Sequence, residues 1–196
     1  MKCFVTWDSN DVVTPLACAP PRQKRKKEAG MLTEIGGTFV KIAWANDPDI
    51  HLRRGLPDRP AARFNRVGQD ALYLSPDEES ARVAIGQYVA VGDAQRVLLT
   101  YEVEPCSLMD LRDPKLSDIY ELARKPWRHA VRTGRAPSSW HAADRVRGDG
   151  HVGLIDPSRR RPGLWHITLF RWNEPGAPNV YRISEPNPIA IEPDCR

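Results

Sequence analysis

The chain has 196 residues, enough for one domain and hardly enough for two. Hydrophobic residues make up 41% of it, and its 18 prolines are about twice the usual share of ~5%. This composition excludes a helical bundle and favours short elements joined by many loops. No segment approaches the ~18 consecutive apolar residues of a membrane span, and the N-terminus lacks the apolar segment of a secretory signal. We therefore expect a cytoplasmic protein with no membrane partner.

The positive charge is concentrated near the N-terminus. The formal net charge is +4, and residues 1–30 carry six basic and three acidic side chains, so the other 166 residues carry about +1. The basic run RQKRKK lies in a Pro-rich arm, residues 1–31, which we expect to be flexible or a non-native start, with Met31 as an alternative start. Such a run can contact nucleic acid, but the nearly neutral remainder makes direct nucleic-acid binding the weakest hypothesis. Residues 32–196 are expected to form one domain.

The cysteines and histidines do not indicate a metal site. The four cysteines contain no Cys-x-x-Cys pair, which excludes a zinc framework and a disulfide scaffold and fits a reducing cytoplasm. The five histidines show no metal-ligand spacing. His166 lies within a strand pattern and is expected to be structural, whereas His141 is expected on a helix surface.

The hydrophobic pattern predicts intermixed strands and helices without a regular β-α-β rhythm, which is typical of an α+β fold. Carboxylates after a short strand suit the first turn of a helix, because they complement the helix dipole. The predicted elements, in chain order, are a strand over 37–45, an irregular segment over 46–65, a strand over 71–75, a helix over 77–90, a strand over 96–104, helices over 113–123 and 138–150 (the latter Ser-capped), strands over 151–158 and 164–170, and one or two strands over 179–193.

Two groups of arginines stand near predicted strand ends. Guanidinium groups bind phosphates with two parallel hydrogen bonds, so two such clusters could hold a diphosphate. Solvated surface arginines are the alternative. Ser158 follows Asp156-Pro157 at a strand-to-loop transition, where a turn serine is also expected. The arginines in question are Arg53, Arg54, Arg59, Arg63 and Arg66 in the first group and Arg159, Arg160 and Arg161 in the second.

Three stretches of the chain carry a recognisable series of motifs. ARFNRVGQDALYLSPDEESA (62–81) resembles a Gly-Arg-(Trp/Phe)-Asn motif, a glycine, a Leu-Tyr-Leu strand and a Pro-Glu-(Thr)-Ala helix start. SSWHAADRVRGDGHVGLIDPSRR (138–160) resembles the later helix, the Gly-(Leu/Ile) pair and a Pro-Ser-x-Arg motif. LWHITLF resembles the strand that follows. In their order and spacing these motifs resemble the RES domain, named for its Arg, Glu and Ser, and the resemblance covers about residues 37–172.

The resemblance implies a fold similar to ADP-ribosyltransferases, with a split β-core around an NAD cleft and flanking helices. RES proteins are toxins of bacterial type II toxin–antitoxin pairs, and Xre-like proteins are their antitoxins. The implied substrate is NAD+, whose nicotinamide–ribose bond some members cleave by phosphorolysis or hydrolysis, with no metal. Other members transfer ADP-ribose to a protein, so a mono-ADP-ribosyltransferase is an open alternative, as is an inactive NAD- or partner-binding module.

The resemblance also assigns residues. Arg63 matches the family arginine and would hold a phosphate or ribose oxygen. Tyr73 matches the pocket tyrosine and would offer its ring to the nicotinamide and its hydroxyl to a polar neighbour. Ser158 matches the family serine and would bind the amide or ribose. Lys41 lies near a position where members carry a further arginine, and Arg160 is assigned to NAD+ binding with these four residues.

The chain departs from the family at the catalytic glutamate. That residue is expected eleven positions after Tyr73, where the chain has Ala84. Glu79 lies five positions earlier, a slip of about 500° of helical rotation, or ~140° off the face, and ~7.5 Å of translation. Glu79 can therefore replace the missing group only if the helix is rearranged, and Asp77 to Glu79 are expected to cap the helix instead. An engineered inactive variant, a naturally weakened member, and a site that uses another group are the three explanations of Ala84.

Overall fold

The computed structural model of the chain describes residues 32–113, 115 and 117–192. The predicted arm, residues 1–31, lies outside these described residues. Among the helices of the described part, none has the length and apolarity that a bilayer crossing requires.

In the part of the chain that the structure describes, seven strands form one sheet, and only the β3–β4 pair among them is parallel. The strand order is β1-β3-β4-β5-β2, and β6 and β7 both pair with β3. The strands are β1 (Leu32–Trp44), β2 (Leu72–Leu74), β3 (Arg96–Asp110), β4 (Gly153–Pro157), β5 (Trp165–Leu169), β6 (Val180–Arg182) and β7 (Asn187–Ile189).

Four short helices flank the sheet. Two turns of 3-10 helix, Pro48–His51 and Gly86–Tyr88, complete the helical elements of the described chain. The helices are α1 (Glu78–Ile85), α2 (Ser117–Arg124), α3 (Arg128–Arg132) and α4 (Ser138–Gly148).

Among the described residues, one isolated bridge links β1 to the end of β2. Val40 on β1 and Ser75, just after β2, exchange two backbone hydrogen bonds of 2.8 and 2.9 Å. Beyond this bridge β1 and β2 diverge, so the sheet stays open there. The buried apolar side chains form two clusters. The first consists mainly of strand residues, and the second packs α2 and α4 against the sheet. Large, fully buried members are Leu99, Tyr101, Ile167 and Trp172 in the first cluster and Phe64, Leu111, Ile119 and Leu154 in the second.

The predicted α+β class is confirmed, and most element boundaries differ by a few residues. β1 begins five residues before the predicted strand, because it pairs with β3 along its whole length from Leu32↔Met109 to Trp44↔Arg96. Gly36 and Gly37, at a bulge in this pairing, conceal the extension in the sequence. The helix predicted over 77–90 ends at Ile85 and tightens into 3-10 helix, and α3 was not predicted.

The N-terminal caps predicted for α1 and α4 have different outcomes. The predicted acidic cap of α1 is confirmed, because the Asp77 side chain accepts a 2.7 Å hydrogen bond from the backbone N–H of Ser80. The predicted serine cap of α4 is wrong: Pro137 occupies the cap position, and no side chain caps the helix. Ser139 instead donates its hydroxyl to the backbone carbonyl of Arg63, which ties α4 to the loop that carries this arginine.

Candidate active site

A cleft of about 600 Å³ opens where β1 and β2 diverge. Its volume lies within the range of small-molecule sites. Segments distant in sequence form its walls: the middle of β1, the loop 61–64, β2 with Ser75, the apolar face of α1, the start of α3, and the end of β4 with the loop after it.

The structure brings six of the seven proposed site residues to this cleft. They come from five separate segments, so only the folded chain assembles them. Glu79 does not line the cleft. The six that do are Lys41, Arg63, Tyr73, Ala84, Ser158 and Arg160.

The Tyr73 hydroxyl is engaged by the protein itself. It accepts a 2.9 Å hydrogen bond from the backbone N–H of Phe64 and donates a 2.8 Å hydrogen bond to Oδ1 of Asn65. Burial raises the pKa of this hydroxyl well above its usual range, so it stays protonated as the second bond requires. Tyr73 therefore fixes the loop after Arg63 and leaves its ring to the cleft.

Arg63 forms an ion pair with Asp156 at the base of the cleft. Its Nη1 donates to Oδ2 of Asp156, and its Nη2 donates to the carbonyl oxygen of Ala123 at 3.1 Å. The guanidinium also lies over the Phe64 ring, 4.7 Å from its centroid. Because the Asp156 side chain is only 3% exposed, it needs this partner, since an unpaired buried charge is strongly unfavourable.

Asp156 was missed as a site residue in the sequence. An Asp before Pro is typical of the start of a turn, so Asp156-Pro157 served only to locate Ser158 at a strand-to-loop transition. The available signal was an acidic residue at the end of the apolar run Gly-Leu-Ile, within a strand. The structure places Asp156 in β4, where four of the five residues are buried.

Ser158 is both a turn serine and a cleft residue. Its Oγ accepts hydrogen bonds from the backbone N–H groups of Arg160 at 3.3 Å and Arg161 at 3.2 Å. These contacts use the oxygen of the hydroxyl, so its hydrogen is available to an acceptor in the cleft. Burial lowers the pKa of the neighbouring Arg159 from its usual value.

Lys41 enters the gap between the diverging strands. Its Nζ donates a 3.2 Å hydrogen bond to the carbonyl oxygen of Tyr73. Burial, reinforced by the charge of Arg59, lowers the pKa of Lys41 to about 8. The amine is therefore mostly charged at pH 7. Burial and the charges of Lys41 and Arg59 lower the pKa of nearby His51 to about 2, so this histidine is neutral.

Helix α1 presents no carboxylate to the cleft. Ala84 lines the wall together with Ala81, Val83 and Ile85, all of them apolar. The Glu79 side chain is 61% exposed and forms an ion pair with Arg161 on the surface. No rearrangement of the helix brings Glu79 to the position of Ala84 in this structure.

Most of the predicted arginine clusters serve other purposes. Of the first group, only Arg63 lines the cleft, so the expectation of two arginine clusters around one diphosphate is wrong for that group. The other members form ion pairs with acidic side chains: Arg53 with Asp47, Arg54 with Glu174, Arg59 with Asp70 and Arg66 with Asp144. Of the second group, Arg159 and Arg160 line the cleft.

The structure places both of the histidines to which the sequence assigned a role. His166 is largely buried in β5, its Nδ1 lies 3.0 Å from Oγ of Ser75, and burial lowers its pKa below the usual value. It also lines the cleft, which the sequence did not indicate. His141 is exposed on α4, so the prediction of a helix surface is confirmed.

An aromatic wall at the side of the cleft was not predicted. The rings of Tyr88 and Trp127 lie 6.5 Å apart at 39°, and the guanidinium of Arg128 lies 4.9 Å from the centre of the Tyr88 ring. All three residues line the cleft. They sit in a 3-10 turn and around α3, two elements that short-range sequence patterns indicate poorly.

The charge of the cleft favours an anionic ligand. Five of the described lining residues are lysine or arginine, against one carboxylate, Asp156. Within the described part of the chain, no group of three or more His, Cys, Asp or Glu side chains is arranged to hold a metal ion.

The chain belongs to the RES domain family. The RES domain model matches residues 41–192, which include every described cleft-lining residue except Val40. Among solved structures, the M. tuberculosis MbcT–MbcA toxin–antitoxin complex contains a chain with 16% identity to this one and a TM-score of 0.49, over 78% of this chain and 87% of that chain. No curated protein sequence is significantly similar to the chain.

Proposed function

We propose that the chain is a bacterial toxin of a type II toxin–antitoxin system that consumes NAD+ by cleaving its nicotinamide–ribose bond. The observation that carries the proposal is the convergence of Arg63, Tyr73 and Ser158 on one cationic cleft. These are the residues that the resemblance of the sequence to RES motifs assigns to NAD+, and all three lie within the range that the RES domain model matches. Residues 32–196 would form the catalytic domain.

The proposed mode of binding follows the charges of the cleft. Arg159, Arg160 and Arg128 supply guanidinium groups suited to the diphosphate. The Tyr73 ring contacts the nicotinamide, because the hydroxyl is held by the loop 64–65 and only the ring is left to the cleft. Ser158 donates its hydroxyl to the ribose or the amide. Lys41 supports the same end of the substrate, since its amine lies beside the Tyr73 carbonyl.

The chemistry requires little acid catalysis. When the bond between C1 of the ribose and the nicotinamide nitrogen breaks, nicotinamide leaves neutral with the electron pair and the ribose becomes an oxocarbenium ion. Water or inorganic phosphate then attacks that carbon. Carboxylate stabilisation of the cation is the largest single contribution the site can make, and removing one such group typically costs about 10²–10³ in rate. Ala84 therefore implies slow turnover.

An Xre-like antitoxin that covers the cleft is part of the proposal, by membership of the family. A catalytically inactive NAD- or partner-binding module is the second candidate, and Ala84 is the observation that favours it. A mono-ADP-ribosyltransferase that modifies a protein would use the same cleft and leaving group. Mass spectrometry of NAD+-treated bacterial lysate, which finds ADP-ribose on a protein in that case alone, separates it from the first candidate.

A binding experiment tests the proposed substrate. Titration calorimetry with NAD+ is expected to show binding that Arg159→Gln weakens about tenfold or more, because a charge-assisted contact to the diphosphate is lost. Arg135→Gln is the matched control, since Arg135 is an exposed arginine outside the cleft. Arg63 is less suitable here because its removal leaves Asp156 buried without its partner. Absence of NAD+ binding, or an equal loss in both variants, would refute the proposal.

A further inference from the structure

We propose that Asp156 is the carboxylate that faces the ribose cation in this cleft, in place of the one that α1 lacks at Ala84. The inference rests on the proposed function and identifies a catalytic group for it. Among the described residues that line the cleft, Asp156 is the only one with a carboxylate.

The position of Asp156 suits this role. It lies in β4, two residues before Ser158, and pairs in register with His166 of β5. Its charge acts on both Tyr73 and His166, so it lies among the groups that would surround the nicotinamide ribose. The residue is only 2% exposed, so water screens its charge weakly.

Arg63 holds this carboxylate in place. Nη1 of Arg63 donates to Oδ2 of Asp156, and Arg63 is itself held by the carbonyl of Ala123 and the ring of Phe64. The carboxylate is thus oriented before substrate arrives, which is the condition for effective electrostatic stabilisation. A rigid strand carries it, whereas the expected glutamate would project from a helix.

The step balances with water or phosphate as the second substrate. The bond between C1 of the ribose and the nicotinamide nitrogen breaks, and both electrons leave with neutral nicotinamide. Asp156 stabilises the oxocarbenium ion without forming a bond to it. An oxygen of water or of inorganic phosphate then bonds to C1. With water, one proton is released to solvent, and the products are ADP-ribose and nicotinamide.

The alternative is that Asp156 only positions Arg63. Two backgrounds separate the two roles: the unmutated chain, and the Ala84→Glu variant, in which a second carboxylate can take over. Asp156→Asn keeps the shape of the side chain and removes its charge. If Asp156 stabilises the cation, the glutamate introduced by Ala84→Glu can take over that task, and the loss of Asp156 then matters less in that background. If Asp156 only positions Arg63, the new glutamate cannot replace it, and its loss matters equally in both backgrounds.

The experiment measures nicotinamide release and NAD+ affinity for all four combinations, with thermal melting as the check on folding. We expect Asp156→Asn to lower release about 10²-fold in the unmutated chain and less than about tenfold in the Ala84→Glu background. NAD+ affinity is expected to change less than about threefold. If Asp156→Asn does not fold, Asp156→Glu is the second variant, and we expect it to lower release by about tenfold or more at unchanged affinity.

Several results would overturn the inference. An equal fall in release in both backgrounds, or a matching loss of NAD+ affinity, assigns Asp156 a positioning role. Unchanged release in Asp156→Asn, or in Asp156→Glu where that variant is used, rules out a catalytic role. Release from the Ala84→Glu variant but none from the unmutated chain overturns the inference and leaves the proposed function standing. Absence of NAD+ binding and release in every variant, Ala84→Glu included, overturns both.

Discussion

Tyr73→Phe isolates the contribution of one hydroxyl to the cleft. The change removes the acceptor of the Phe64 N–H and the donor to Oδ1 of Asn65, and it leaves the ring in place. Phe64 and Asn65 are each 1% exposed, so water cannot easily replace the lost partner. Each buried polar group left without a hydrogen bond costs about 1–3 kcal/mol. Two such groups are left here, so we expect the free energy of unfolding to fall by about 2–6 kcal/mol.

The loss should also reach the proposed substrate site. Arg63 immediately precedes Phe64, so release of the loop disturbs the Arg63–Asp156 pair and weakens NAD+ binding although the ring that would contact the nicotinamide remains. Urea unfolding followed by tryptophan fluorescence gives the stability, and calorimetry gives the affinity. Tyr181→Phe is the matched control: Tyr181 is 51% exposed, and its change should alter stability by less than about 0.5 kcal/mol. If the Tyr73→Phe protein is as stable as this control and its NAD+ affinity is unchanged, the hydroxyl does not fix the loop after Arg63.

Three further changes probe the surroundings of the cleft. Lys41→Met should raise the free energy of unfolding at pH 7 by up to about 3 kcal/mol, because folding lowers the pKa of Lys41 from 10.5 to about 8. This gain in stability should shrink as the pH rises from 8 to 10.5, and the variant should bind NAD+ more weakly than the unmutated chain. An equal gain at pH 7 and pH 10.5 would contradict the burial of a charged amine. As the pH falls through 6.5, the unfolded chain binds a proton at His51 that the folded chain, in which the pKa of His51 is about 2, does not, so stability should fall with falling pH. His51→Gln should reduce this slope by about 1 kcal/mol per pH unit in urea unfolding between pH 5 and 6.5. An unchanged slope would count against the burial of a neutral His51. Gly153→Ala should lower the free energy of unfolding by about 2–3 kcal/mol in the same assay, because the added Cβ would lie 2.4 Å from the carbonyl oxygen of Thr168. The control is Gly148→Ala, whose Cβ would have nothing within 4 Å, and it should leave stability unchanged or raise it.

The sequence predicted the parts of the fold that short-range patterns encode. The strand over 164–170 and the helix over 138–150 have strong local patterns, and the structure has both within about two residues. The far half of β3 and the start of β1 were not predicted, because their strand conformation depends on pairing with each other. α3 is only five residues long, too short for a periodic signal.

The candidate site divides in the same way. Arg63 and Ser158 lie in motifs whose spacing along the chain is characteristic, so their place in the cleft could be predicted from the sequence. Asp156 could not, because its importance depends on Arg63 from a segment 93 residues away. The opposite error concerned the other arginines of the first cluster: their number suggested a phosphate site, while acidic partners distant in sequence determine where they lie.

The central claim is that this cleft cleaves NAD+ and is weakened by the missing glutamate. The most direct test measures nicotinamide released from NAD+, with and without inorganic phosphate, by the unmutated chain, Ala84→Glu and Ala84→Gln. We expect slow release from the unmutated chain, an increase of roughly tenfold or more with Ala84→Glu, and no comparable increase with the uncharged Ala84→Gln. Equal release from Ala84→Glu and Ala84→Gln, or no release from any of the three proteins, would contradict the claim.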